Sequence, residues 1–128
     1  FHDLYWEVDE HKIKFELKDD FILTDASFFF YSSGFLNKVD ASNLDVSHVK
    51  SMSSLFRSIG ENSTSLNIDD LSNWDVRNVI DMNYMFQNAG KNATYSLDLS
   101  EWNVENVTKH NNFNSGVESK VTAPVWVN

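Results

Sequence analysis

The sequence predicts an α/β repeat solenoid, in which similar units of one short strand and one short helix stack on each other. The first observation is a motif that occurs four times, as SFFF, SSLF, NYMF and NNFN, with first residues 26, 30 and 28 positions apart. The second is that three longer segments, beginning at Asp40, Asp70 and Asp98, align without a gap. Self-similarity at periods of 20 to 50 residues is typical of stacked repeat proteins.

Each unit changes its hydrophobic period partway along. Leu66 and Ile68 alternate with polar residues, which predicts a short strand with one buried face. Val49, Met52 and Leu55 then recur every third residue, which predicts one face of a helix of two to three turns. Asparagine and aspartate just upstream favour helix caps, because their side-chain oxygens accept bonds from unpaired helical amides. The predicted caps are Asp45, Asp75 and Asn103.

A strand and a helix of this size cannot bury their apolar faces alone, so the units are expected to share one continuous core. The repeat period and the order of elements predict leucine-rich-repeat-like geometry with parallel strands on the concave side. The predicted organisation is an N-terminal β-hairpin cap over 1–24, repeat units over 25–116 and a C-terminal cap over 117–128. The three to four units are 25–38, which is partial, 39–67, 68–96 and 97–116.

Aligned apolar columns form the predicted core of the stack. Trp74 and Trp102 repeat in a column that holds Leu44 in the preceding unit, which favours large core side chains over a sugar-stacking platform. The predicted core residues are Leu44, Trp74, Trp102, Val46, Val76, Val104, Val49, Val79, Val107, Met52, Met82, Leu55, Met85, Phe113, Phe30, Phe56 and Phe86.

The last unit loses part of this apolar pattern. His110 stands in the column of Met82, so one face of this unit is expected to meet water. Phe113, Val125 and Trp126 are predicted to close the core at this end of the stack.

The repeat also resembles a known family. The segments NLDVSHVKSMSSLF, NWDVRNVIDMNYMF and DLSEWNVENVT closely resemble the short repeat of BspA-like leucine-rich-repeat bacterial surface proteins. The resemblance covers about Ser27 to the C-terminus. It implies an extracellular or bacterial cell-surface location and a non-enzymatic role in adhesion or protein–protein interaction.

Charge and composition exclude several classes of partner. The formal net charge is −9, from 19 acidic and 10 basic side chains, which argues against binding nucleic acid or an anionic membrane. The absence of cysteine excludes disulfides and zinc–thiolate sites. No apolar run approaches the length of a transmembrane helix.

Two polar columns form the predicted partner-binding surface. They consist of Asp40, Asp70, Asp98, Ser42, Ser72 and Ser100. Residues in one column of a stack are expected to lie about one strand spacing, roughly 5 Å, apart. A ladder of carboxylates suits Ca²⁺ or a basic partner, but the chain has no EF-hand or RTX-type spacing. Neither a metal nor a cofactor is therefore predicted.

No catalytic residues are predicted either. The four histidines fall in separate segments, and no GxSxG motif is present to position a nucleophilic serine. The predicted function is a non-enzymatic module that binds an unidentified host or cell-surface protein or glycan. The alternatives are a structural spacer or capping domain of a larger surface protein, and a carbohydrate-binding module. An exposed aromatic concave face would favour sugar, whereas an acidic one would favour protein.

Overall fold

The structure, a computed structural model, describes residues 4–9, 12–17, 22–31 and 38–128. It contains six strands in these ranges. They are β1 (Leu4–Asp9), β2 (Lys12–Leu17), β3 (Lys38–Asp40), β4 (Asn67–Ile68), β5 (Leu97–Asp98) and β6 (Val121–Thr122). The described part of the chain contains no helix. The predicted α/β solenoid of strand-plus-helix units, with its leucine-rich-repeat-like geometry, is therefore wrong.

The strands form two small sheets, and the first has the order β1-β2-β3-β4. Strands β1 and β2 are antiparallel, whereas β2 pairs with β3 and β3 pairs with β4 in parallel. The second sheet consists of the parallel pair β5 and β6. The parts of the predicted hairpin cap and of the partial first unit at 1–3, 10–11, 18–21 and 32–37 lie outside the described residues.

Successive units lie side by side because equivalent residues pair in parallel. Isolated parallel bridges join Asp25 to Ser51, Ser51 to Asp81, and Asp81 to Lys109. The last two bridges connect residues that the motif alignment places in one column. The molecule is thus a stack of extended segments and turns rather than of strands and helices.

Consecutive tight turns occupy the segments where helices were predicted. We call residues 53–62 and 83–92 the long turns. In the first, the amides of Leu55 and Ile59 donate to carbonyl oxygens three residues back, at 3.2 Å each. The φ angles of Ser54 and Ser58 are 56° and 59°. A right-handed helix requires negative φ at every residue, so this backbone cannot be helical.

Hydrogen bonds between units replace those that a helix would make within itself. The amides of Met52, Ser54 and Phe56 donate to carbonyl oxygens of the next unit at 2.8, 2.9 and 2.8 Å. One unit later the bonds recur from Met82 to Lys109, from Tyr84 to Asn111 and from Phe86 to Phe113. The long turns are also rich in serine, asparagine and glycine, which have low helix propensity. Hydrogen bonds between units therefore replace the helix that the apolar spacing predicted.

The predicted helix caps stabilise turns instead. Asp45 accepts a bond of 2.9 Å from the amide of Ser47, two residues later. Asp75 and Asn103 make equivalent bonds of 3.2 Å with amides two residues on. These are Asx-turns, in which the side chain closes a turn that no helix follows.

The core runs through the stack as columns of rings and aliphatic side chains. Each predicted core residue is buried. Phe56 stacks on Phe30 and on Phe86, with ring centroids 5.2 and 5.0 Å apart. The rings of Trp74 and Trp102 also stack, at 6.3 Å. Stacked rings therefore couple each unit to its neighbours.

The C-terminal segment covers the last unit. Trp126 stacks on His110 with centroids 4.2 Å apart and meets Phe113 edge-on at 5.1 Å. Val121, in the same segment, is buried in the core. Val125 is 71% exposed, so the prediction that it helps to close the core is wrong.

Candidate functional site

An open groove of about 450 Å³ lies where β4 and β5 end. We call it the acidic groove, and its lining consists of Ile68, Asp70, Ser72, Ser96, Leu97, Asp98 and Glu101. The side chains of Ile68 and Leu97 are buried. Asp70, Asp98 and Glu101 are exposed. The groove therefore combines an apolar floor with a rim of carboxylates.

Local turns hold two of the carboxylates in place. Asp70 accepts a hydrogen bond of 2.9 Å from the amide of Ser72, and Asp98 accepts one of 3.0 Å from the amide of Ser100. These backbone bonds, together with bonds to the serine side chains, lower the pKa of Asp70 and the pKa of Asp98. Both groups are consequently charged at neutral pH.

The structure places Asp40 next to Asp69 rather than next to Asp70. Strands β3 and β4 pair with Val39 beside Ile68, an offset that is one residue shorter than the offset of the aligned motifs. Partial burial, and then the hydrogen bond and negative charge of Asp40, raise the pKa of Asp69. Asp40 and Asp69 thus form a repelling carboxyl pair beside β3 and β4, and Asp40 does not line the acidic groove.

The three predicted serines have different surroundings. Ser72 lines the groove, and Ser100 supplies the amide that binds Asp98. The side chain of Ser42 forms a hydrogen bond with Asp69, which partly offsets the effect of Asp40. Only Asp70, Asp98 and Ser72 of the predicted surface therefore lie together in one cavity.

Residues 4–9, 12–17, 22–31 and 38–128 contain no group of three or more His, Asp or Glu side chains arranged to hold a metal ion. His110 stacks on Trp126, and His48 lies 3.2 Å from the hydroxyl of Ser47. His2 and His11 lie outside the described residues. The described ranges also hold no helix that is long and apolar enough to cross a bilayer.

A family model matches residues 10–125 of the chain, which include all the aligned repeats. Its description is "Mycoplasma protein of unknown function, DUF285". The chain belongs to the DUF285 family. No curated protein matches this DUF285 chain, and no solved structure matches it.

The acidic groove of this DUF285 chain contains residues that the sequence did not single out. Ser96 and Glu101 line the groove, and Asp69 directly precedes the groove residue Asp70 in the sequence. Asp69 stands beside the predicted Asp70 in the sequence, but only the pairing of Val39 with Ile68 places it next to Asp40. One available signal was Glu101, which replaces the asparagine found at Asn73 in the previous unit.

Proposed function

We propose that this chain is a non-enzymatic interaction module of a bacterial surface protein, and that the acidic groove binds a basic segment of a partner protein. The observation that carries the proposal is the groove itself, in which Asp70, Asp98 and Glu101 surround an apolar floor. A lysine or arginine side chain can lay its methylene stem on such a floor while its charged head reaches the carboxylates.

Electrostatics favours this partner chemistry over others. The low pKa of Asp70 and the low pKa of Asp98 keep two of the rim groups charged. The net charge of −9 would also steer a basic partner towards the chain at low ionic strength. Because the rim is exposed, we expect the affinity to fall as salt is added.

A carbohydrate partner in the same groove has less support. Sugar recognition commonly uses the flat face of an aromatic ring, as tryptophan and tyrosine do at other recognition surfaces. None of the described residues that line the groove is aromatic. Trp74 and Trp102, the candidates for such a platform, are 6% and 5% exposed.

The surface location rests on the sequence alone. The repeated segments resemble those of BspA-like bacterial surface proteins, which supports display outside the cell. Such a protein would meet host or neighbouring-cell macromolecules, among which a basic protein segment is the partner that the groove fits.

The test is a binding screen of the full chain against extracellular-matrix proteins, mucins and glycans. The groove variant is Asp70→Asn, Asp98→Asn and Glu101→Gln, in which each asparagine keeps the oxygen that closes the Asx-turn. The control variant, Asp25→Asn, Glu61→Gln and Glu118→Gln, removes the same number of charges from residues that do not line the groove. We expect basic proteins to bind the wild type and the control, and to bind the groove variant at least about tenfold more weakly.

Three outcomes would contradict the proposal. Binding that is equal in the groove and control variants would remove the acidic groove as the site. Binding only to neutral glycans would favour a carbohydrate-binding module. The absence of any binding would favour a structural spacer.

A further inference from the structure

A second surface has the opposite chemistry to the acidic groove. The guanidinium carbon of Arg57 lies 5.5 Å from the ring centroid of Tyr31 and 4.9 Å from that of Tyr84. Tyr31 belongs to the preceding unit and Tyr84 to the following one, so the cation contacts a ring from each of the two neighbouring units. Cation–π contacts with two rings restrict the orientation of the side chain.

Large aromatic groups flank this cation at the surface. Phe28 is 56% exposed and Tyr31 is 45% exposed, and their rings meet edge to face at 5.8 Å. We call Phe28, Tyr31, Arg57 and Tyr84 the aromatic–arginine surface. None of them lines the acidic groove.

The positive charge of Arg57 has no partner in the described part of the chain. Across residues 4–9, 12–17, 22–31 and 38–128, the Arg57 side chain forms neither an ion pair nor a hydrogen bond. By contrast, Arg77 binds Asp75 at 2.9 Å. Since cation–π contacts do not use up the N–H donors of Arg57, these donors remain available for an anion.

Backbone geometry provides an independent argument. Phe28 and Tyr84 have φ angles of 63° and 59°, in the left-handed region. The same column holds Ser54 and Asn112 in the other units, with φ angles of 56° and 53°. Asparagine tolerates this conformation better than a bulky side chain does. Folding alone would therefore favour asparagine at 28 and 84, and the aromatic side chains require another explanation.

The composition of the aromatic–arginine surface is typical of protein interfaces. Tyrosine, phenylalanine and arginine are enriched in interface cores, where they supply most of the binding energy. An oriented guanidinium can form two parallel hydrogen bonds with a carboxylate. We propose that this surface binds an acidic segment of a partner protein, with an aspartate or glutamate on Arg57 and an adjacent apolar side chain against Phe28 and Tyr31. The inference is independent of the acidic groove and its basic partner.

The test is selection of a random peptide library, displayed on phage, on the immobilised full chain. We expect enriched peptides to carry aspartate or glutamate beside an apolar residue, and each to be resynthesised with its acids replaced by amides. Arg57→Gln should weaken binding of the acidic peptide by at least about tenfold, and Arg57→Lys should weaken it less. The amide form of the peptide should lose affinity for the wild type by a similar factor.

Two further variants separate binding from folding. Phe28→Asn and Tyr84→Asn should weaken binding while the melting temperature is unchanged or higher, because asparagine relieves the left-handed backbone. The groove variant, Asp70→Asn, Asp98→Asn and Glu101→Gln, should bind the acidic peptide as the wild type does. Failure of the groove proposal would thus leave this result untouched.

The proposal is overturned if no acidic peptide is enriched, or if Arg57→Gln and Phe28→Asn bind as tightly as the wild type. Binding of sialyllactose is measured as well, with lactose as its neutral counterpart. Arg57-dependent binding of sialyllactose without binding of any acidic peptide would assign the surface to acidic glycans and reject a protein partner.

Discussion

The indole nitrogen of Trp102 donates a hydrogen bond of 2.9 Å to the carbonyl oxygen of Leu71 in the preceding unit. Trp74 makes the same bond, at 3.0 Å, to the carbonyl oxygen of Ala41. Both bonds are buried, so each tryptophan joins two units by a polar contact as well as by stacking. The tryptophan column therefore buries apolar area and also fixes the distance between units.

Replacement of Trp102 by phenylalanine should lower the free energy of unfolding by about 0.5–1.5 kcal/mol, because the carbonyl oxygen of Leu71 loses one of its two donors and keeps the amide of Trp74. The measurement is urea denaturation followed by circular dichroism. Trp126→Phe is the matched control, since Trp126 is only half-buried and contributes ring contacts. An equal loss in the two variants would show that the hydrogen bond contributes little.

Replacement of Gly90 by alanine should destabilise the second long turn by about 1–3 kcal/mol. The φ angle of Gly90 is +51°, and an added Cβ would lie 2.7 Å from a methyl carbon of Leu66 and 3.0 Å from the ring of Tyr95. Ser58→Gly is the opposite exchange at a residue with a φ of 59°, and it should leave the melting temperature equal or higher. A Gly90→Ala protein as stable as the wild type would contradict this backbone geometry.

Replacement of Asp69 by asparagine should stabilise the protein at neutral pH, by less than about 1 kcal/mol because solvent still reaches both half-buried carboxyls of the pair. The pKa of Asp69 is raised in the fold, so its favourable contribution is complete below the unfolded pKa and is lost as pH rises through the folded pKa. The advantage of Asp69→Asn should accordingly shrink as the pH falls from 7 towards 4. Thermal unfolding at a series of pH values measures it.

Asp70→Asn is the control for that series, because its effect on stability should change with pH in the opposite direction. The pKa of Asp70 is lowered by its bonds to Ser72, so its contribution is present above the unfolded pKa and is lost as pH falls through the folded pKa. Asp70→Asn should consequently be slightly less stable than the wild type at neutral pH and equal to it in acid. Parallel pH profiles for the two variants would refute the assignment of the Asp40–Asp69 pair.

Deletion of residues 121–128 should lower the melting temperature by many degrees, with a loss of at least about 3 kcal/mol from burial of Val121 and Trp126 alone. The deletion also removes the pairing of β5 with β6. Val125→Ser should change stability by less than about 0.5 kcal/mol, since Val125 is exposed. An unchanged melting curve after the deletion would show that this segment does not stabilise the last unit.

The apolar spacing identified inward-facing residues but misidentified the backbone that carries them. Met52, Leu55 and Phe56 face the core, as residues three and four apart would on a helix. Successive turns return side chains to the same side at nearly the same interval, so the period alone cannot separate the two structures. The turns differ from a helix in the positive φ of Ser54 and in the hydrogen bonds to the next unit. Neither feature changes the spacing of apolar residues in the sequence.

The candidate site shows a similar division. The motif alignment correctly relates Ser51 to Asp81 in the turns, where the two residues form a bridge. The alignment does not hold in the strands. It would place Asp69 beside Val39, whereas the residue that pairs with Val39 is Ile68. A gap-free alignment cannot reveal that strand and turn differ in register by one residue, and the pairing of Asp40 with Asp69 depends on that difference.

The hydrogen bonds between the long turns have a consequence for how such chains lengthen. Every junction uses amides of one unit and carbonyl oxygens of the next, at positions that recur with the motif. A tandem duplication of the coding segment for one unit would therefore copy a complete set of donors and acceptors along with the residues that fill the core. Array length can then vary in evolution without invention of a new junction, and selection acts mainly on the side chains that each copy displays.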